Sequence, residues 1–358
     1  MTDKSKLYFG KYVDYGSLQS TERFKVMLNR HVEAGSLSTK TTVSTYSLIL
    51  QTSYYGGVLS QNGDLHFVPF TANVGQKISP TGVVSTYSLV YTTASGAYAG
   101  GIFATNGDIH FAPHAATVGQ KISASGVVST YSLVYTNSSG AYIGGALDTN
   151  GNIHFSPYVG NVGQKVSSAG VVSTYSMVYT GGSYQGAVVA LNGDLHFIGR
   201  GALIGQKINT AGVVSTYSLV HTTVSEPYIG GVLAPNGDIH FIPFSANVGQ
   251  KINTSGVVST YSLAYTANYS YVGGVLAPNG DIHFVNWTAP VGQKVSSTGV
   301  ASTYSLVYTS GTAYLGGNLD SNGNIHFIPF SSPGQKISTQ SALPFSLGMC
   351  VNSYFNKF

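Results

Sequence analysis

Seven histidines recur along the chain, each behind an Asn-Gly pair and in front of a phenylalanine, as in NGDIHF at 236–241. Imidazole can bind a metal ion, take up a proton or hydrogen-bond a buried hydroxyl, so the set could form a ring of ligands. The intervals between them are 44, 44, 42, 44, 43 and 43 residues. The members are His66, His110, His154, His196, His240, His283 and His326.

The elements that must position these histidines belong to a repeat of about 43 residues that fills 53–340. In the unit 228–266 four strands are readable: YIGGVL, DIHFIP, VGQKIN and VVSTYSLAY. Asn-Gly joins the first two, and this pair predicts a two-residue type I′ hairpin turn in every unit. No repeated segment has helical periodicity.

Four short antiparallel strands at this period predict an all-β fold, a seven-bladed β-propeller of four-stranded antiparallel blades. The hairpin units are centred on residues 63, 107, 151, 193, 237, 280 and 323. A parallel β-helix is the competing fold, but its coils are shorter and need no hairpin in each. The Gly-Gly pair of the first strand, replaced by Gly186-Ala187 in the fourth unit, is expected to allow close approach at the crowded axis.

The outermost strand occurs eight times, although a ring of seven blades needs only seven copies. The N-terminal copy, 42–50, is expected to complete the last blade and so remove the exposed edges of an open array. The alternative is the degenerate C-terminal copy, ALPFSLGM, which carries Phe345. Segment 1–40 is predicted to be a partly helical attachment outside the ring formed by 41–350, and 351–358 a C-terminal tail.

Composition narrows the possible partners. Only 8% of the residues are charged and the net charge of +4 is not gathered into a stripe, so nucleic acid is not an expected partner. The single cysteine, Cys350, excludes an internal disulfide framework and a Cys-based zinc site. No signal peptide and no membrane span can be read, so synthesis without Sec-type export is expected.

The phrase GGVLAPNGDIHFIPF followed by GQKI resembles the repeat of a propeller group written approximately GGVLxPxGxIxFVP, which is distantly similar to kelch blades. The group occurs in bacteria, phages and large DNA viruses. The resemblance covers 53–350 and implies the propeller fold. Nearly uncharged repeats rich in Gly, Ser, Thr and Tyr behind a distinct N-terminus are similar to phage tail or capsid-surface proteins, which implies a virion component.

Regularity argues against the histidines as a binding site, because equivalent positions on different blades lie too far apart to share an ion unless they meet at the axis. We therefore expect them to form a structural network with hydroxyls of the STYS strand, and no metal or other cofactor is predicted. The lysine of each GQK could hold an acidic glycan or a phosphate, but we interpret it as a solvated edge position. These lysines are Lys77, Lys121, Lys165, Lys207, Lys251, Lys294 and Lys336.

The positions that differ between units are better candidates for binding a ligand or partner. One position in the loop between the second and third strands carries large flat side chains and one arginine, which suit sugar stacking or a protein contact. Its occupants are Phe70, His114, Tyr158, Arg200, Phe244, Trp287 and Phe330. The alternative is that they wedge between blades as ordinary packing.

No catalytic motif can be read, so the sequence predicts that the chain is not an enzyme. The leading hypothesis is a virion surface component, made in the host cytoplasm, with 1–40 bound to other virion proteins. Its variable face would contact a host surface glycan or a neighbouring virion protein. The alternatives are a free carbohydrate-binding propeller lectin, cytoplasmic or extracellular without a Sec signal, and, third, a glycan-active enzyme using the Arg200 loop.

Overall fold

The computed structural model describes residues 42–50, 53–93, 96–159, 161–222, 225–309, 311–330 and 332–338. The predicted N-terminal helix, the copy with Phe345, Cys350 and the tail lie outside these residues. The described residues form 28 strands, numbered β1 to β28 in chain order, in seven four-stranded antiparallel sheets. The prediction of a seven-bladed, all-β propeller is therefore confirmed. No helix of the described residues is long and apolar enough to cross a membrane.

Each blade is an antiparallel sheet whose strands follow one another from the axis to the rim. The innermost strands are β2 (Tyr54–Leu59), β6 (Tyr98–Phe103), β10 (Tyr142–Leu147), β14 (Tyr184–Val189), β18 (Tyr228–Leu233), β22 (Tyr271–Leu276) and β26 (Tyr314–Leu319). The second strands are β3 (Leu65–Pro69), β7 (Ile109–Pro113), β11 (Ile153–Pro157), β15 (Leu195–Gly199), β19 (Ile239–Pro243), β23 (Ile282–Asn286) and β27 (Ile325–Pro329).

The third strands carry the GQK motif, and the outer strands carry STYS or its variants. The third strands are β4 (Val74–Ile78), β8 (Val118–Ile122), β12 (Val162–Val166), β16 (Ile204–Ile208), β20 (Val248–Ile252), β24 (Val291–Val295) and β28 (Gly334–Ser338). The outer strands are β5 (Val84–Ser88), β9 (Val128–Ser132), β13 (Val172–Ser176), β17 (Val214–Ser218), β21 (Val258–Ser262), β25 (Ala301–Ser305) and β1 (Thr42–Tyr46).

The seventh blade is completed by the start of the propeller sequence. Strand β1 pairs with β28 in antiparallel register, from Thr42 opposite Ser338 to Tyr46 opposite Gly334. The inner strand β2 also packs beside β26, which brings the first and last blades together. The N-terminal copy of the outer strand therefore closes the ring, as the repeat count predicted.

The Asn-Gly hairpins differ from the predicted type I′ turn. Within the hairpin loop of the first blade only Gly63 has a positive φ, of 87°, and its N–H donates to the Ser60 carbonyl at 3.0 Å. The Ser60 N–H in turn bonds the Asp64 carbonyl at 2.9 Å. This is a three-residue loop with glycine in the left-handed region, for which asparagine need not leave the right-handed region. Asparagine serves another purpose, because the Asn62 side chain accepts a hydrogen bond from the Asp64 N–H at 3.1 Å.

Two neighbouring glycines of the inner strand have different tasks. Gly56, with a φ of 80°, lies at a bulge where the pairing register shifts between Tyr54 and Gly57. A Cβ on Gly57 would lie 2.8 Å from the side chain of Ile328 in the neighbouring blade. In the first blade the second glycine is thus required by packing, whereas the fourth blade accommodates the Cβ of the fully buried Ala187 at this position.

Blades are fastened to each other by the glutamine of GQK, which is fully buried in all seven blades. Its side-chain oxygen accepts hydrogen bonds from backbone N–H groups that follow the outer strand of the preceding blade. In the fourth blade, Gln206 Oε1 accepts from Val178 and Tyr179 at 2.9 and 2.8 Å, and Gln206 Nε2 donates to the Tyr179 carbonyl at 2.8 Å. At the ring closure, Gln76 accepts from the N–H of Leu50 at 2.8 Å. Nothing in the repeat pattern predicted these hydrogen bonds between blades.

Candidate functional site

The residues that vary between blades come together on one face of the disc. Ring centroids of Phe70 and His114 are 5.3 Å apart, and those of His114 and Tyr158 are 6.0 Å apart. The guanidinium carbon of Arg200 lies 5.2 Å from the Tyr158 ring and 5.9 Å from the Phe244 ring. We call these residues, together with Trp287 and Phe330, whose ring centroids are 5.5 Å apart, the axial surface. Neighbouring blades thus contribute adjoining side chains. Both hypotheses for these positions, binding of a ligand or partner and packing between blades, require this.

Beneath the axial surface, side chains from the second position of each inner strand fill the propeller axis. Five of them are apolar and buried: Ala99, Ile143, Ile229, Val272 and Leu315. The other two are Tyr55 of the first blade and Gln185 of the fourth. Gln185 Nε2 donates a hydrogen bond to the Tyr55 hydroxyl at 2.6 Å, a contact that blades so far apart around the ring can make only across the axis. The axis is therefore closed at this level.

Arg200 lies next to these axial side chains and contacts polar side chains on two sides. Its Nη1 donates to Gln185 Oε1 at 2.8 Å, and its Nη2 lies 3.0 Å from Glu226 Oε1. Burial favours the neutral guanidine, but Tyr55 and Glu226 beside it outweigh that effect and raise the pKa of Arg200. The arginine thus remains charged. Its Nε atom is buried and has no hydrogen-bond partner within the described part of the chain.

Glu226 reaches Arg200 from the loop that precedes β18. Its φ of 51° lies in the left-handed region, which is unfavourable for a residue with a long side chain. It is the single carboxylate outside the Asn-Gly hairpins among the described residues. The Glu226 side chain is 33% exposed, so a bound molecule could reach its carboxylate.

The sequence analysis did not single out Tyr55, Gln185 or Glu226. For the first two a signal existed, because all the other blades carry an apolar residue at that position of the inner strand. For Glu226, the fact that it lies in a loop that differs between units could have marked it as a candidate site residue.

His114 supplies a titratable group that is independent of the Asn-Gly histidines. Its Nδ1 lies 3.2 Å from the Gly96 carbonyl and can donate to it, which leaves Nε2 as a hydrogen-bond acceptor. Burial, together with the charge of Arg200, lowers the pKa of His114 despite that hydrogen bond. The imidazole is therefore mainly neutral at pH 7, and its Nε2 lies beside Gly140.

The seven Asn-Gly histidines are buried against the outer-strand tyrosines. In five blades the histidine Nδ1 lies between 3.0 and 3.2 Å from the tyrosine hydroxyl, as for His110 and Tyr131. In the other two, His66 with Tyr87 and His196 with Tyr217, the rings are in contact at 5.3 Å between centroids. Within the described ranges, no three His, Cys, Asp or Glu side chains are grouped to hold a metal ion.

The interpretation of the GQK lysines as solvated edge positions is wrong, because they lie on the third strand, inside each sheet. In five blades the lysine pairs with the aspartate of the Asn-Gly hairpin, as Lys251 does with Asp238 at 2.7 Å. The third and seventh blades have asparagine there, and a carboxylate placed four residues earlier contacts the histidine instead. Asp148 lies 3.1 Å from His154, and Asp320 lies 3.1 Å from His326.

No protein-family model and no curated protein matches the chain. The fold, however, is shared with solved structures. A streptogramin B lyase structure matches with a TM-score of 0.72 at 20% identity, covering 84% of this chain and 98% of the other. Virginiamycin B lyase from Staphylococcus aureus matches with a TM-score of 0.74 at 19% identity, covering 84% and 99%. The WD40 propeller domain of Doa1 matches with a TM-score of 0.62 at 14% identity, covering 84% and 97%.

The prediction that the chain is not an enzyme is overturned by these similarities, because propellers that match along nearly their whole length include lyases. The prediction assumed that groups repeated in every blade leave no unique constellation for catalysis. The axial surface does contain groups that are not repeated, since Arg200, Glu226 and His114 each occur once among the positions that vary between blades. The likeness to the GGVLxPxGxIxFVP and kelch repeats is supported by no family model.

Proposed function

We propose that this chain binds carbohydrate at the axial surface. The proposal rests on the charged pair of Arg200 and Glu226, 3.0 Å apart, beside the half-buried Tyr158 and the buried Phe244. Aromatic faces stack on the C–H face of a sugar ring, while nearby polar groups fix its hydroxyls. Phe70, Tyr158 and Trp287 are half-buried and can offer such faces.

The chemistry of the pair favours a neutral sugar over an anionic one. Glu226 already compensates the charge of Arg200, so an anionic ligand would have to displace or face a carboxylate. A pair of neighbouring hydroxyls can donate to the carboxylate and accept from the guanidinium at the same time. The ligand class is therefore a hydroxyl-rich ring without its own charge.

The biological setting that we propose is the surface of a phage or virus particle, with 1–40 attached to other virion proteins and the axial surface turned toward a host surface glycan. It is supported by the low charge and the Gly, Ser, Thr and Tyr content of the repeats. The alternative is a free carbohydrate-binding propeller. Electron microscopy of the native assembly would decide between them by showing whether the protein is part of a particle.

The binding proposal is tested by a glycan array followed by titration calorimetry on the full chain. Arg200→Ala and Trp287→Ala should each reduce affinity for the selected glycan at least tenfold. Leu203→Ala is the matched control, because Leu203 is 59% exposed on the same loop as Arg200 and is not part of the axial surface. Binding that is unchanged in both axial variants, or absent for every neutral glycan, would reject the proposal.

A second candidate function is a lyase reaction at the same surface, favoured by the fold shared with streptogramin B lyase and by the neutral imidazole of His114. In such an elimination His114 would take a proton from a carbon of the substrate, and the electrons of that C–H bond would form a double bond to the neighbouring atom. The leaving group on that atom would depart with the electrons of its own bond. Arg200 would stabilise the negative charge that develops.

The lyase function is tested by incubating the chain with quinupristin, which is named with a catalytically inactive variant of virginiamycin B lyase. Mass spectrometry and chromatography would detect an opened or eliminated product. Turnover that is lost in His114→Ala would support the function, and no product after prolonged incubation would reject it for this substrate class.

A further inference from the structure

The rim of the disc carries the same exposed residues in every blade, although the loops of the axial surface have diverged. The threonine at the centre of the outer strand is exposed in all seven copies: Thr45, Thr86, Thr130, Thr174, Thr216, Thr260 and Thr303. The serine two residues later is exposed in all seven as well. Packing inside a blade does not require an exposed side chain to be the same everywhere, so the rim invariance calls for another cause.

Valines that frame the outer strand are exposed too. Those that precede it are Val83, Val127, Val171, Val213, Val257 and Val300, between 57% and 63% exposed. Those that follow it include Val90, Val134, Val178, Val220 and Val307, between 58% and 62% exposed. Exposing an apolar side chain to water costs free energy, and covering it with a partner removes that cost. Here the exposed valines recur around the ring.

Each outer strand also has an open edge. Every one of the seven stands at the end of its sheet and pairs with a single strand, so among the described residues its other side has no strand neighbour. Proteins usually protect such edges with charged residues, proline or bulges. None of the seven outer strands contains a charged residue or proline, as in VSTYS of β5. β-Branched, uncharged strands with an open edge are suited to pairing with another strand.

We propose that copies of this chain associate rim to rim by antiparallel pairing of their outer strands. A second copy is the partner that this surface fits, because an antiparallel pair of identical strands is related by a twofold axis and is self-complementary. Centred on Thr86, the pairing places Val84 opposite Ser88 of the partner subunit and Ser85 opposite Tyr87 of the partner subunit. Cross-strand threonine pairs are favourable, and no like charges meet.

The association is weak at each edge and strong when several edges act together. A single pair of five-residue strands buries much less than the roughly 1,200 Å² of a stable interface. Seven equivalent edges on each disc allow contact with several neighbours at once, and multivalent contacts raise the overall affinity without any new interaction. We therefore expect assembly that depends steeply on concentration.

The test compares two sets of six lysine substitutions in the full chain. The rim set is Thr86→Lys, Thr130→Lys, Thr174→Lys, Thr216→Lys, Thr260→Lys and Thr303→Lys. The control set adds the same charge at exposed turns of one disc face: Thr81→Lys, Ser125→Lys, Ala169→Lys, Ala211→Lys, Ser255→Lys and Thr298→Lys. Sedimentation velocity between about 1 μM and 1 mM would measure assembly, and thermal unfolding would verify the fold.

We expect the control set to assemble as the unmodified chain does, and the rim set to stop at dimers through the remaining Thr45 edge. A second rim set with glutamate at the same six positions should be equally deficient alone, but a mixture of the lysine and glutamate sets should assemble again. Monomers of the unmodified chain at every concentration, equal behaviour of rim and control sets, or no assembly in the mixture would overturn the proposal.

Discussion

Gln185 of the fourth blade donates a hydrogen bond across the propeller axis to the hydroxyl of Tyr55 in the first blade, at 2.6 Å. Its oxygen accepts from Arg200 at 2.8 Å, so one amide connects the floor of the axis to the charged group above it. The arginine is thereby oriented before any ligand arrives, which lowers the entropic cost of binding.

Gln185→Leu should therefore weaken ligand binding without removing any residue that touches the ligand. The substitution removes the hydrogen bonds that Gln185 makes with the Tyr55 hydroxyl and with Arg200 Nη1, at a cost of about 1–3 kcal/mol. The affinity for the glycan selected by the array is expected to fall about tenfold, which corresponds to ~1.4 kcal/mol. Trp287 is the sole tryptophan of the chain, so its fluorescence reports binding directly. Tyr55→Phe, which removes one hydroxyl, should have a smaller effect; a larger effect would contradict the role assigned to Gln185.

The glutamines between blades should be more important for stability than their polarity suggests. Gln206→Leu removes the buried acceptor of the backbone N–H groups of Val178 and Tyr179, and also the donor to the Tyr179 carbonyl. We expect the free energy of unfolding to fall by about 2–4 kcal/mol, measured by urea denaturation. Gln61→Leu, at an exposed turn, is the control and should change stability by less than about 0.5 kcal/mol. Equal losses in the two variants would refute this fastening.

Stability should decline steeply in mild acid. Burial lowers the pKa of five Asn-Gly histidines to about 4, from 6.5 for an exposed imidazole; neighbouring lysine charges add to this effect and neighbouring aspartate charges oppose it. The unfolded chain therefore binds more protons between these values, so stability is complete above pH 6.5 and is lost as pH falls toward 4. Each histidine contributes up to about 1.4 kcal/mol per pH unit in this range.

The measurement is the free energy of unfolding at several pH values for the unmodified chain and for His240→Asn. We expect the variant to be less stable at pH 7. The slope of its free energy of unfolding against pH should be smaller than that of the unmodified chain by the contribution of one proton. An identical pH dependence in both proteins would show that His240 does not titrate as its burial predicts.

The carboxylate of the hairpin occupies one of two sequence positions, depending on the blade. In the third blade Asp148 contacts His154, whereas five other blades have an aspartate at the position of Asn152 that pairs with lysine. Asp148→Ala alone should cost about 1–2 kcal/mol. Adding Asn152→Asp should restore most of that loss, because the new carboxylate can pair with Lys165. Calorimetric unfolding of the four proteins of this cycle measures the coupling, and additive losses would contradict it.

The closing strand should be more sensitive than its equivalents in other blades. Tyr46 covers Gly334 and its hydroxyl lies 3.0 Å from His326 Nδ1; Tyr131 makes the same contacts with Gly119 and His110. Both Tyr46→Ala and Tyr131→Ala should cost about 3–5 kcal/mol. Only Tyr46→Ala should also release the strand and expose β28 to protease, as limited proteolysis with mass spectrometry would show. Equal protease resistance would argue against this difference.

The fold followed from the sequence because a repeated period, Asn-Gly pairs and four strand patterns all agreed. The positions Phe70 to Phe330 were found because they vary between units. Gln185 and Glu226 also stand at positions that differ between blades, but their importance could not be read there, because their partners lie across the axis or in a loop and such contacts exist only once the ring has closed. The lysines were misjudged because a strand position does not reveal whether an aspartate lies opposite it.

The pairing of β1 with β28 also sets an order of events during synthesis. Strand β1 leaves the ribosome before the other propeller strands, but His326, the partner of its Tyr46, lies 280 residues further along the chain. Six blades can form from contiguous sequence while β1 is still unpaired. Until β1 pairs with β28, the last blade exposes the edge of its third strand. A slow final step of folding, and a need for protection of that edge before it, are built into the topology.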